Sequence, residues 1–399
     1  MDVYLNNAAT TWPKPRCVAK AVENFLTQGG ANLGRGTSSQ RDLLTLNTVL
    51  DCRVRIAGFF DGYGNGDPRY VTFCSGVTEA LNVVLKGFFK KNFHSGSVMR
   101  VLSTSMEHNA VVRPLRGMEN DGVQTRFLEC GPDGALDLEL LERALNDKND
   151  KKFHLMVLSH ASNVCGTIQP LEGIAELCRQ ASVPLVLDSA QTAGILPVSV
   201  SKLGLAALCF TGHKGLMGPQ GIGGIVWNPD FAARVAPLVE GGTGSFSHVE
   251  TQPSDMPDKF EAGTPNLPGI SGLHAALGWL EETGIDEIKR HEDQLGERFL
   301  EIMAELGGIS YGRAIIEGMK GRLAVFAVNF LEMMDNGILA NELSKMGLET
   351  RPGLHCAPLA HRTLGSFPQG SLRVSPGYFN TLDDVNYFKE CMCKCTGKN

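Results

Sequence analysis

One lysine, Lys214, stands in the stretch "CFTGHKGLMGPQGIGG" (209–224), among glycines and apolar side chains. An ammonium with so little polar company is costly to bury, and that cost lowers its pKa and makes it a better amine nucleophile. Other short apolar runs also end on polar residues. "VTFCSGVTEALN" ends in a Gly-containing turn and Thr78, "VLSTSMEHNA" at Glu107 and His108, "LMVLSHASNVCGT" at Asn163, and "PLVLDSAQ" at Asp188 and Gln191; the run before Lys214 ends at Thr211 and His213. Taken singly, each has a structural reading: Asn163 can cap a turn, Asp188 can cap a helix, and His108 can be a satisfied, half-buried histidine. Taken together they describe one ligand. A Schiff-base lysine, a carboxylate for a pyridinium nitrogen, an imidazole to stack on a ring, and helix amides with hydroxyls for a phosphate are the partners of pyridoxal phosphate. The small residues around Lys214 would leave room for it.

A second constellation lies in "ETRPGLHCAPLAH" (349–361), where Cys356 sits in a Pro/Gly-bounded loop with Arg351, His355 and His361 close in sequence. Neighbouring cations favour a thiolate. Downstream, "GSLRVSPGYFNT" places Arg373 within an apolar run, either as a surface ion pair or as a bidentate clamp for a substrate carboxylate. The glycine-rich "GPQGIGG" precedes an apolar strand instead of opening a helix, so it reads as a tight turn and not as a phosphate loop. The terminal "CMCKC" lacks both C-x-x-C spacing and a second cluster, so it reads as a helix end with incidental thiols, and no metal is expected.

These tips need elements to hold them. Runs at 69–75, 99–105, 154–160, 183–189, 207–213 and 222–228 are rich in Val, Ile, Leu and Phe on both faces, as strands covered on both sides are. Between them lie helical patterns such as "TEALNVVLKGFFKKN" and "LEGIAELCRQA". The alternation predicts an α/β fold with a mostly parallel sheet between helices, and functional groups gather past the carboxyl ends of such strands. After about residue 265 the helical pattern reads as two long helices, or one bent near Gly284, and leads to strand patterns in "LAVFAVNFL" and "GSLRVSPG" and a last helix from about Leu382. The expected division is a large domain at 15–264, and a smaller α+β domain at 1–14 and 265–399 that carries the Cys356 loop.

The 399 residues carry a net charge of −6, with 43% hydrophobic and 20% charged residues. That balance argues against non-specific binding to nucleic acid or to acidic membranes. No stretch approaches the roughly 18 uninterrupted apolar residues of a membrane span, and the N-terminus does not read as a secretory leader. Eleven scattered cysteines fit a reducing cytoplasm better than a disulfide framework.

The motifs together resemble a known family. "VYLNNAATTWPKP", "GVTEALN", "MEHNA", "SNVCGTIQP", "LVLDSAQTAG", "FTGHKGLMGPQGIG", "FEAGTPN", "RPGLHCAP" and "LRVSPGYFNT" follow one another over nearly the whole chain as they do in the cysteine desulfurases. These belong to the class V aminotransferase group of fold-type I pyridoxal-phosphate enzymes, and the "RPGLHCA" loop is similar to their short-cysteine-loop branch. The resemblance implies that Lys214 holds the cofactor and moves the substrate Cα proton, that Asp188 pairs with the pyridine nitrogen, and that Gln191 reaches the phenolic oxygen. It implies that Asn163 holds the ring and the substrate carboxylate, that His108 stacks on the ring and serves catalysis, and that Thr78, Thr211 and His213 bind the phosphate. It also implies that Arg373 binds the substrate carboxylate with Arg351 and His355 beside it, and that Cys356 accepts the sulfur of L-cysteine and passes it to an acceptor protein. Thr264 would reach the phosphate of a neighbouring subunit, which implies a homodimer with shared active sites. On the same scaffold the alternatives are a selenocysteine lyase, a cysteine-sulfinate desulfinase, an aminotransferase, or a non-catalytic cofactor-binding relay. Two departures stand out: Asn6 replaces the usual Asp and Val77 replaces a frequent Thr, so cofactor contacts are expected to be weaker or differently arranged.

Overall fold

The computed structural model describes residues 2–32, 39–94, 97–147, 152–330 and 335–396. After the short strand β1 (Val3–Tyr4), seven strands form the main sheet: β2 (Val71–Cys74), β3 (Met99–Thr104), β4 (Val123–Leu128), β5 (Leu155–Ser159), β6 (Leu185–Asp188), β7 (Ala207–Thr211) and β8 (Gly223–Trp227). Their order is β2–β8–β7–β6–β5–β3–β4. Neighbours from β7 through β6, β5 and β3 to β4 run parallel, while β8 is antiparallel to both β7 and β2. Six of these strands are the apolar runs named above. The seventh, β4, lies at the edge, and its middle residues alternate toward solvent. A strand covered on one side has no continuous apolar run, so that criterion passes over it.

Helices cover both faces. One face buries Leu81, Val84 and Phe88 of the Val77–Asn92 helix and Val111 and Leu115 of the Asn109–Gly117 helix. The other buries Val49 and Ile56 of the Gln40–Phe59 helix, Ile174 of the Leu171–Gln180 helix, and Leu273 and Leu277 of the Leu267–Thr283 helix. Each fully buried Leu, Ile, Val or Phe is worth roughly 1.5–3 kcal/mol over its exposed state. Burial on both faces therefore fixes the sheet, and with it the strand ends.

The second sheet contains β9 (Ile309–Tyr311), β10 (Phe326–Asn329), β12 (Arg351–Gly353) and β13 (Ser371–Val374), in the antiparallel order β12–β13–β10–β9. β11 (Leu348–Glu349) pairs instead with β1, in parallel. This part has its own core, with Leu295, Phe299, Phe326, Val374 and Phe388. The long helical run divides at Gly284, whose φ of +81° suits a residue without a side chain. The Leu267–Thr283 helix packs with the main sheet's core, and most of the Ile285–Leu306 helix with that of the smaller sheet. The last helix, Leu382–Thr396, buries Cys391 and packs Cys393 and Cys395 against the same core. Among the described residues no cluster of His, Cys, Asp or Glu could hold a metal ion, and no helix is long and apolar enough to cross a membrane.

The N-terminal arm joins the two parts. Val3 pairs with Leu348, Asn6 bridges to Ser375, and the hydroxyls of Thr10 and Thr11 donate to the carbonyl of His213 beside Lys214.

Candidate active site

Asp188 ends β6, in register with Ser159 of β5 and Cys209 of β7. Its Oδ1 accepts from the Ala190 amide at 2.9 Å, and burial raises its pKa. Ser159 connects it to a second carboxyl. Glu107 accepts from the Ser159 amide at 2.9 Å, from the Ser159 hydroxyl at 2.6 Å and from the Thr104 hydroxyl at 2.7 Å. It has no solvent exposure, and burial pushes it up to about 7.

Lys214 lies in the turn that follows β7. Burial lowers its ammonium to about 8; Asp188 opposes that shift, while Arg373 and Arg351 add to it. The same couplings place Lys214 within electrostatic reach of Cys356. Two of the glycines around it serve backbone packing. A Cβ on Gly215 would lie 2.5 Å from the Ala193 carbonyl oxygen, and one on Gly194 would lie 2.2 Å from that of Gly215. Only glycine lets these two turns press together.

His108 caps the Asn109–Gly117 helix, with Nδ1 accepting from the Ala110 amide at 3.0 Å. Burial lowers its pKa to about 4. It is therefore neutral at physiological pH, with its proton on Nε2. Thr78 lies in the first turn of the Val77–Asn92 helix, which starts at Gly76 without a side-chain cap. Thr78, His108 and Cys356 line one open cleft of about 580 Å³, with Lys86 and Arg113 on its wall. Thr211 is buried at the end of β7, and its Oγ1 lies 3.5 Å from where a Cβ on Gly76 would stand. The Nδ1 of His213 is buried without a hydrogen-bond partner among the described residues. Gln191 donates from Nε2 to the Ala8 carbonyl at 3.2 Å. Thr264 is exposed and lines a separate hollow with Ser75, Glu79 and Asn266, so within one chain it does not join the others.

The cysteine loop is strained and held. His355 and Cys356 have φ of +48° and +59°, a left-handed pair without glycine, which costs about 1–3 kcal/mol per residue. Two hydrogen bonds from the main-sheet loops oppose that cost. Asn163 donates from Nδ2 to the His355 carbonyl at 2.7 Å, and the Asn109 amide donates to the Cys356 carbonyl at 2.8 Å. The His355 ring turns inward, with Nε2 3.1 Å from the Ser371 carbonyl oxygen, and burial lowers its pKa to about 2. The Cys356 thiol stays exposed, 3.7 Å from Nη2 of Arg351.

Arg351 and Arg373 stand directly opposite each other on β12 and β13. Arg373 is 1% exposed; it donates from Nη1 to the Asn163 carbonyl at 3.0 Å and from Nη2 to Oδ1 of Asn6 at 2.9 Å, and its Nε has no partner. Burial, then Arg351, lowers its pKa to about 9. Among the described residues no carboxylate pairs with either arginine. Like charges in cross-strand register, one of them buried, are costly without an anion between them.

The donor set fits pyridoxal phosphate: a lysine of lowered pKa, a buried carboxylate at the next strand end, a neutral imidazole that shares a cleft with Cys356, and an uncapped helix start flanked by Thr78 and Thr211. Three residues that the motifs did not single out for a role complete the picture. Glu107 sits under the site, Asn6 meets Arg373, and Lys14 donates to the His213 carbonyl at 2.6 Å, with burial lowering its pKa to about 7. "MEHNA" and "TTWPKP" contain Glu107 and Lys14, but nothing local signals their burial.

The aminotransferase class-V family model matches residues 3–388. A protein of Pyrococcus abyssi named a probable cysteine desulfurase is 31% identical, over 97% of this chain and 92% of that protein. A probable cysteine desulfurase of Methanothermobacter thermautotrophicus is 29% identical, over 99% of this chain and 95% of its own. The apo structure of cysteine desulfurase from Thermococcus onnurineus superposes with a TM-score of 0.90 at 28% identity, covering 99% of this chain and 95% of that one.

Proposed function

The chain belongs to the aminotransferase class-V family, on its cysteine desulfurase branch, and we propose that it takes sulfur from L-cysteine with pyridoxal 5′-phosphate as cofactor, yielding L-alanine and a persulfide on Cys356. The observation that carries this reading is the pair of hydrogen bonds that fasten the exposed Cys356 to the strand-end loops around Lys214.

Lys214 would hold the cofactor covalently, Asp188 its pyridine nitrogen, Gln191 its phenolic oxygen and His108 its ring face, while Thr78, Thr211, His213 and the first-turn amides would hold its phosphate. When bound, the cofactor supplies an electron sink for the substrate Cα. The residues of the chain do the rest. Arg373, with Arg351 and Asn163 beside it, orients the substrate carboxylate. Lys214 has an amine neutral above about pH 8, and in that form takes the Cα proton and later returns one. The Cys356 thiolate attacks the substrate sulfur, so an S–S bond forms as the Cβ–S bond breaks. The bonding pair stays with the substrate carbon, which takes up a proton. Cys356 is thereby oxidised to the persulfide and the substrate carbon reduced, with no outside oxidant. The terminal sulfur then passes to a thiol of an acceptor protein or to a reductant.

The working form we propose is a homodimer in which Thr264 serves the partner's phosphate site. Leu43, Leu46, Leu50 and Val54 support this: they form an exposed apolar stripe at helical spacing on the Gln40–Phe59 helix. The eleven unpaired cysteines fit a reducing cytoplasm. Product analysis tests the reading. Purified protein with L-cysteine and a reductant yields alanine and sulfide in equal amounts. A new amino acid formed only with a keto acid, and no sulfide, would refute it.

A further inference from the structure

We propose that Asn6 sets the affinity of this site for its substrate, by leaving the guanidinium of Arg373 without a carboxylate partner so that the substrate carboxylate supplies it. The proposal rests on the desulfurase reading above and deepens it.

Asn6 is placed firmly. It bridges to Ser375, two residues past Arg373 on the strand's continuation, and the arm around it is pinned by Asn7, whose Nδ2 donates to the Ser375 carbonyl and to Oδ1 of Asn380, each at 3.1 Å. The hydroxyl of Tyr4 donates to the Asn6 carbonyl at 3.1 Å and to that of Thr10 at 2.9 Å. From this fixed backbone the Asn6 amide oxygen accepts from Nη2 of Arg373 at 2.9 Å. Among the described residues the other hydrogen-bond partner of Arg373 is the Asn163 carbonyl, also neutral, and Nε has none; Tyr4 and Cys356 act on it only at longer range. Across the strand pair stands a second guanidinium, that of Arg351. Two facing cations, one of them buried and held only by neutral acceptors, form a site whose missing charge is that of a monoanion.

An acid of equal size at position 6 would set a fixed negative charge against Arg373. An Asp there would put its carboxylate where the amide oxygen now meets Arg373. The substrate carboxylate would then compete with a permanent anion instead of meeting an open charge. For unit charges a few Å apart at an effective dielectric constant of about 20, that loss corresponds to at least tenfold in affinity. The effect belongs to binding: Asn6 touches neither Lys214 nor Cys356 by any hydrogen bond.

The test compares Asn6→Asp and Asn6→Ala with wild-type holoenzyme, using L-cysteine and L-cysteine methyl ester, which lacks the carboxylate. Asn6→Asp raises KM for L-cysteine at least tenfold with kcat within about threefold, and leaves KM for the ester within about twofold. Asn6→Ala, which adds no charge, keeps KM for L-cysteine within about threefold. Equal effects on acid and ester, or a tenfold rise in Asn6→Ala, would overturn the proposal. If Asn6→Asp does not fold, Asn6→Ala and Asn6→Ser decide by the same threefold and tenfold limits. If the wild type turns over neither substrate, the desulfurase reading fails. The charge argument is then read from equilibrium binding of L-alanine, which weakens at least tenfold in Asn6→Asp or else refutes it.

Discussion

The lowered pKa of Lys214 makes a prediction that needs no turnover. An ordinary lysine near 10.5 offers about 3 free amines in 10,000 at pH 7. With its pKa at about 8, Lys214 offers about 1 in 11, a gain of roughly 300-fold. Its cause is burial, opposed by Asp188, so the perturbation of choice is Asp188→Asn. Removing that carboxylate takes away the charge that favours the ammonium, and the lysine falls further. The assay is the rate at which apo protein captures pyridoxal phosphate, trapped by borohydride and read as a mass increment on the peptide holding Lys214. In the wild type the rate rises tenfold per pH unit up to about pH 8 and then levels. In Asp188→Asn it levels at lower pH. On the proposed pairing of Asp188 with the ring nitrogen, the captured cofactor is then held less tightly. A wild-type rate still rising steeply past pH 10, or a plateau that Asp188→Asn moves to higher pH, would refute the electrostatic account of the site.

Glu107 gives a pH signature in stability. Its folded pKa of about 7 lies above the ordinary carboxyl value, so the folded protein holds this proton more tightly than the unfolded chain. The resulting stabilisation is complete below about pH 4.5 and is lost as pH rises to about 7. Glu107→Gln removes this decline from a series of melting curves, and it costs about 1–3 kcal/mol because Ser159 loses an acceptor. A variant with an unchanged pH slope would contradict the burial of a titrating carboxyl. Asn163→Ala removes the bond to the His355 carbonyl and leaves a strained loop with one anchor fewer, so amide exchange across 352–358 speeds up roughly tenfold. Unchanged exchange would mean that the loop does not depend on that anchor.

Much of this was legible in the sequence because the signals are local. Central strands buried on both faces write continuous apolar runs, and each run carries its own polar tip, so Asp188, Thr211 and Lys214 group together on the sequence alone. β4 was not legible, because an edge strand shares its face with solvent and its pattern breaks up. The glycines near Lys214 were legible as small but not as packed, since the partner of Gly215 is Ala193, on a different strand's turn. The anion site was only half legible. Arg373 could be named as a carboxylate clamp, but its register with Arg351 depends on how two strands pair, and its bond to Asn6 joins opposite ends of the chain. Strand pairing across such distances leaves no mark in composition. The inward turn of the His355 ring is a further case: a loop histidine beside a cysteine looks like a site group, yet its ring serves the β13 backbone while its carbonyl serves Asn163.

The central claim is that Cys356 takes the sulfur. The direct measurement compares wild type with Cys356→Ala, both loaded with pyridoxal phosphate and showing the same visible absorbance, for alanine and sulfide formed from L-cysteine with a reductant present. The account predicts equal alanine and sulfide from the wild type, a persulfide mass shift of one sulfur on the Cys356 peptide before reductant is added, and neither product from Cys356→Ala. Full-rate sulfide from the loaded Cys356→Ala protein would contradict it.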